Sequence, residues 1–139
     1  MGSFNFWQKW LVLIGIVTMV FCAALMSPAM LDAELSYISS AFWESSEVPA
    51  EAKEFYYWVF GVYSAMGTAW ALFIVLVACY PFKRKEKWSW YCLFSCISVW
   101  FVIDTAFSIN FEFYVNVINN VIFYVLLILP LIFTKREFT

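Results

Sequence analysis

The sequence predicts an all-α polytopic membrane protein: a bundle of four transmembrane helices with an extracytoplasmic amphipathic helix between the first and the second. Three observations predict it. Hydrophobic residues make up 65% of the 139 and charged residues 13%, with a mean hydropathy of +0.81, whereas a chain folded in water holds about a quarter charged residues. The apolar residues gather into four runs, each long enough to supply the roughly 20 helical residues that cross a bilayer core. Prolines and charged residues fall between the runs or at their ends, as Lys9 does, apart from Asp104 and Pro130. Four spans leave room for one substantial loop and short ends. The chain therefore reads as a single transmembrane domain, with spans at about 7–27, 55–80, 88–109 and 114–134 and an external loop at 28–54.

The first run starts at Trp7 and is stopped by Ser27 and Pro28. It is longer than the roughly 7–15 apolar residues of a signal peptide and so reads as a span. In the loop that follows, Leu31, Leu35, Ile38 and Phe42 are spaced by four, three and four, with Asp32, Glu34, Ser36 and Ser39 mostly elsewhere on the wheel. That spacing is one apolar stripe of a surface helix, expected to lie along the outer face with Phe42 and Trp43 in the headgroups, or to fold over the bundle as a lid. Pro49 followed by Glu51 and Glu54 marks the start of the second spanning helix, which is expected to end at Pro81. The third follows the basic stretch Lys83 to Lys87, and the fourth carries Pro130 one turn before its end, leaving a freed carbonyl near Leu126.

With both termini inside, Lys9, Lys83, Arg84, Lys85, Lys87, Lys135 and Arg136 are cytoplasmic and only Lys53 is external. The positive-inside rule thus places both termini in the cytoplasm. Trp7, Trp10, Trp88 and Trp90 are then expected at the cytoplasmic interface, with Trp43 and Trp58 at the outer one. The four cysteines all lie in apolar runs and read as packing thiols. The chain contains no histidine. It therefore lacks the usual imidazole base, haem ligand and catalytic zinc ligand, so no metal or cofactor is expected and catalysis is disfavoured. A net charge of -2, with the lysines committed to the membrane face, makes nucleic acid an implausible partner.

Asp104 is the one ionisable residue in a span that cannot snorkel to an interface. Trp100, Asp104 and Ser108 recur at intervals of four and share a face of the third helix, while Asn116, Asn119 and Asn120 share a face of the fourth. The short turn from Asn110 to Phe113 makes the two helices antiparallel neighbours and brings these faces to one depth, with Thr105 within reach. The second helix offers Gly61, Tyr63, Ser64 and Ala65 at that level, small residues for close approach and a phenol to donate. The candidate ligand-binding residues are thus Asp104, Trp100, Ser108, Asn116, Asn119, Asn120, Tyr63 and Ser64. Intramembrane carboxylates mark ligand or ion pathways. The plainer reading is interhelical hydrogen bonding, worth about 0.6 kcal/mol per contact. Both stay open on the sequence alone.

The stretch Trp100-Phe101-Val102-Ile103-Asp104-Thr105 with Ser108, then Asn116, Asn119 and Asn120, then Leu129-Pro130-Leu131 with Lys135-Arg136, resembles small bacterial four-helix membrane proteins that are loosely DoxX-like. The resemblance implies a bacterial inner-membrane location and no particular reaction. The long loop after the first helix is similar to that of four-helix proteins of the sterol-isomerase and sigma-2-receptor type, which bind sterol-like ligands. The missing histidine and paired glutamates count against isomerase chemistry. Three function classes follow. One is a binding or accessory protein holding a lipid-like or small apolar ligand at Asp104. A second is a structural subunit packed against a membrane-protein partner or a second copy, and a third is a small proton-coupled transporter. Small-x-x-x-small spacing at Gly67 and Ala71 would suit a dimer.

Overall fold

The computed structural model describes residues 2–42 and 48–139, the side chains of 2 and 40–42 excepted. Every regular element among them is helical. The order is α1 (Gly2–Leu25), α2 (Pro28–Phe42), α3 (Ala50–Val77) continued by a π-helical turn at Ala78–Phe82, α4 (Lys87–Asn110), and α5 (Tyr114–Thr134) with a 3₁₀ turn at Lys135–Glu137. Four segments, Ser3–Leu25, Ala50–Phe82, Lys87–Asn110 and Tyr114–Glu137, are long and apolar enough to cross a membrane. The fold class is the one the sequence predicts. Large side chains such as Phe55 and Trp58 are each 66% exposed and Met66 68% exposed, an arrangement suited to a lipid solvent. The chain forms two compact units, Met1–Gly15 with Phe73–Thr139, and Ile16–Leu72. The division falls inside α1 and α3.

In the unit formed by Ile16–Leu72, α2 starts where Ser27 and Pro28 stop α1. The Ser27 carbonyl accepts the N–H groups of Met30 and Leu31 at 3.1 and 3.0 Å, and Pro28 fills the first helical position, where its missing N–H costs nothing. Leu31 and Leu35 are buried and Ile38 half-buried, as the stripe requires. Trp43, expected at an interface, lies outside the described residues, as does the Phe42 side chain. On the polar side, Asp32 pairs with Lys53 at 2.8 Å and accepts a hydrogen bond from the Tyr57 hydroxyl. These bonds, from Lys53 first and Tyr57 second, hold the Asp32 carboxyl below the usual carboxylate range. Further along α3, a Cβ added to Gly67 would stand 2.9 Å from Cys22 Sγ. Ala71 is fully buried, so the small-residue face proposed for a dimer is used within the chain.

The other unit is organised around its two prolines. Pro81 lies in the last turn of its helix: the turn widens to π geometry around it, which accommodates the missing N–H without a break. The Gln8 amide donates to the Ala78 carbonyl at 3.0 Å in a buried setting. The helix ends at Phe82, one residue beyond Pro81, and is closed by a Schellman motif with Glu86 N–H on Pro81 O at 3.0 Å and Lys85 N–H on Phe82 O at 2.9 Å. Lys85 takes the left-handed conformation that glycine usually fills, at φ 59°.

In α5, Pro130 removes the donor that would reach the Leu126 carbonyl, and the Trp10 indole N–H supplies one at 3.0 Å. The 3₁₀ turn takes the Lys135 N–H to Ile132 O, and the Trp90 indole donates to Leu131 O at 2.8 Å in the buried interior. Trp10 and Trp90 therefore serve the fold and are not simple interface anchors, whereas Trp88 is 53% exposed. Phe4, Phe82 and Phe138 close this end as a cluster with ring centroids 4.6 to 6.0 Å apart. Cys96 is exposed and Cys92 half-buried, so the thiols are less packed than the sequence reading had them.

Candidate functional site

At the opposite end of the α4 and α5 pair the side chains bond to one another. The turn between the helices is a second Schellman motif: Phe113 N–H reaches Ser108 O at 2.8 Å and Glu112 N–H reaches Ile109 O at 3.0 Å. Glu112 occupies the left-handed position at φ 57°. Because this turn is closed on the Ser108 carbonyl, the first turns of α5 lie beside the last turns of α4, and the register that sets Asn116 and Asn120 opposite Asp104 is fixed.

The centre of the cluster is Asp104 Oδ1. Asn116 Nδ2 and Asn120 Nδ2 each donate to it at 2.7 Å, and Ser108 Oγ stands 3.3 Å away. The two amide contacts are short for N–H···O hydrogen bonds. Ser108 Oγ also donates to the Asp104 carbonyl at 2.8 Å and accepts from Asn116 Nδ2 at 2.7 Å. Asn120 Nδ2 makes a longer contact of 3.4 Å with Thr105 Oγ1. Asn120 and Ser108 are buried, and Asp104, Thr105 and Asn116 half-buried. Phe107, one turn on from Asp104 along the same side of α4, is exposed.

Of the residues singled out by spacing, the structure brings together Asp104, Ser108, Asn116 and Asn120. Thr105 joins them. Trp100 is not a hydrogen-bond partner of Asp104; its ring meets Phe123 edge-on at 5.6 Å. Asn119 is exposed, one helical position away from the bonded face. Tyr63 and Ser64 belong to the other unit. There Tyr63 is 56% exposed with its ring 5.9 Å from that of Phe60, and Ser64 is buried with its carbonyl accepting from Thr68 Oγ1 at 2.8 Å.

What remains unspent in the cluster follows from a count of donors and acceptors. Both amides turn their NH₂ groups toward the carboxylate, so their oxygens face away from it. Asp104 Oδ2 receives no hydrogen bond from any described residue. Among the described residues, the buried side-chain atoms without a partner are the Tyr56 hydroxyl and Ser64 Oγ. Oδ2 is not one of them, so it is unpartnered but not sealed. No described Lys or Arg forms an ion pair with Asp104. A shallow depression on α4, lined by Ser98, Val99, Val102 and Ile103, opens on the helix surface close by in sequence.

Gln8, Ser89 and Thr134 are buried polar residues that sequence reasoning missed, and Ser39, placed off the apolar stripe, is buried as well. Gln8 is the one with a sequence signal. It is the sole glutamine of the chain and falls at the polar start of an apolar run, the one signal that could have marked it. The Ser98 and Tyr124 hydroxyls, 3.3 Å apart across α4 and α5, also went unread, since neither has a helical neighbour that suggests pairing. Comparison with known protein families, with curated proteins and with solved structures returns no match.

Proposed function

We propose that this chain is an integral membrane binding or accessory protein that holds a lipid-like or small apolar ligand by its polar end at Asp104. One observation carries the reading: Asp104 Oδ1 is used by Asn116, Asn120 and Ser108, while Oδ2 has no partner among the described residues and is not sealed. A carboxylate serving only to join two helices has no need of an unspent oxygen. Moreover, α4 and α5 are already joined by a turn closed with two backbone hydrogen bonds. An ionisable group at membrane depth is expensive to keep, which favours a use for it.

The surroundings suit such a ligand. Phe107, one turn on from Asp104 along the same side of α4, is exposed, and a ligand dissolved in the bilayer reaches it without crossing water. We place the protein in a bacterial inner membrane with both termini cytoplasmic, a reading supported by the seven-to-one division of Lys and Arg across the spans and by the DoxX-like pattern of α4 and α5.

Native mass spectrometry of protein gently extracted from membranes tests this. The expected result is a stoichiometric co-purified small molecule. An empty chain, or a protein partner in place of a small molecule, would overturn the binding reading, the latter in favour of a structural subunit.

A further inference from the structure

The chemistry of the unspent groups narrows the ligand, an inference that rests on the binding reading above. The donors of the cluster are committed: both asparagine NH₂ groups and the Ser108 hydroxyl are turned toward Asp104, Ser108 or Thr105. What is left over is acceptor. Asp104 Oδ2 is unpartnered and not sealed, and the amide oxygens of Asn116 and Asn120 receive no hydrogen bond from the described residues. No described Lys or Arg pairs with the carboxyl group.

A site with surplus acceptors and no paired cation discriminates sharply among polar heads. A carboxylate or phosphate head would bring acceptors to acceptors and leave its own unserved. An alcohol would supply one donor and no cation. A protonated amine supplies up to three donors and the cation. The exposed Phe107, a turn along the same side of α4, then meets its apolar tail. We propose that the ligand of the Asp104 site is an amphiphile with an ammonium head, bound through N–H donation to Asp104 Oδ2.

Asp104→Asn is the informative variant. Its amide oxygen can keep the place of Oδ1 beneath Asn116 and Asn120, and its NH₂ puts a neutral donor where the outward oxygen stood. The whole chain in phosphatidylcholine nanodiscs is titrated with dodecylamine, dodecanol and dodecanoate, with empty nanodiscs measuring partition into lipid. The expected result is saturable dodecylamine binding at one equivalent above the empty discs. Asp104→Asn weakens it by about 10–100-fold, as loss of a charge-assisted hydrogen bond implies, and changes dodecanol by less than about 10-fold. Dodecanoate shows no saturable binding.

Dodecanoate binding as tightly as dodecylamine, or dodecylamine binding equally to both proteins, overturns the ammonium head while leaving a ligand at Asp104 in place. So does failure of all three probes when native mass spectrometry still finds a bound molecule. An empty wild-type protein in that experiment overturns the binding reading itself. The preference of the wild-type protein for amine over carboxylate is decisive even if the variant does not fold.

Discussion

The two ends of the α4 and α5 pair use polar side chains in opposite ways. At the Pro130 end, Trp10 and Trp90 each send an indole N–H to a backbone carbonyl, Leu126 O and Leu131 O, and Thr134 Oγ1 donates to Pro130 O at 2.6 Å. These groups complete a helix that proline and a 3₁₀ turn leave short of donors. At the Asp104 end no proline disturbs the backbone, and the side chains converge on one carboxylate oxygen. In a bilayer an unmet backbone carbonyl costs several kcal/mol, so the first set is explained by the fold alone. The second is not, because it creates a polar cluster where none was needed. A polar residue within a span is evidence of function only after the backbone's own requirements have been subtracted.

Substitutions at the two ends should separate these roles. The largest loss of stability is expected from Trp90→Phe, which keeps an aromatic ring but strands the buried Leu131 carbonyl. About 1–3 kcal/mol is expected, read from the unfolding midpoint in mixed micelles. Trp10→Phe should cost somewhat less, about 1–2 kcal/mol, at its half-buried site. Its cost should fall by at least half in a Pro130→Ala background, where the restored N–H serves Leu126 O. A double-mutant cycle with no coupling would contradict the role given to Trp10.

Asp104→Asn should cost less than about 1 kcal/mol, since its side-chain oxygen still accepts from Asn116 and Asn120. The smallest effect belongs to the exposed pair in the other unit. Asp32 is held below the usual carboxylate range by Lys53 and Tyr57, so its folded value lies beneath the unfolded one. Its contribution is complete above about pH 4 and is lost as pH falls through the lower folded value. The protection of α2 amides against hydrogen exchange, taken relative to the intrinsic rate at each pH, should therefore fall on acidification in the wild-type protein and not in Asp32→Asn.

Much of this was legible in the sequence because membrane folding is governed by length and periodicity. The four spans follow from apolar runs. The α2 stripe follows from Leu31, Leu35 and Ile38, and the meeting of Asp104 with Asn116 and Asn120 from i, i+4 spacing across a short turn. The illegible parts depend on tertiary geometry. Pro81 marks the end of the second span to within one residue, as expected, but the last turn widens to π geometry around it, and nothing local in the sequence announces that choice. The Schellman turns are closed by Lys85 and Glu112, where a sequence rule looks for glycine. Trp10 and Trp90 were read as interface anchors since an indole at a span end is usually one. Only the fold reveals the carbonyls they serve. Trp100, correctly placed on the Asp104 face by spacing, packs on Phe123 because a bulky indole has a better apolar partner there.

The contrast between the two ends reduces to one side-by-side measurement. Wild-type and Asp104→Asn proteins are purified from membranes, and unfolding midpoint and bound small molecules are recorded on the same samples. The expected result is nearly equal stability with the bound molecule present in the wild-type protein and lost from the variant. A large loss of stability, with no bound molecule in the wild-type protein, would make Asp104 a structural tie like Trp10 and Trp90 and would contradict the function proposed for it.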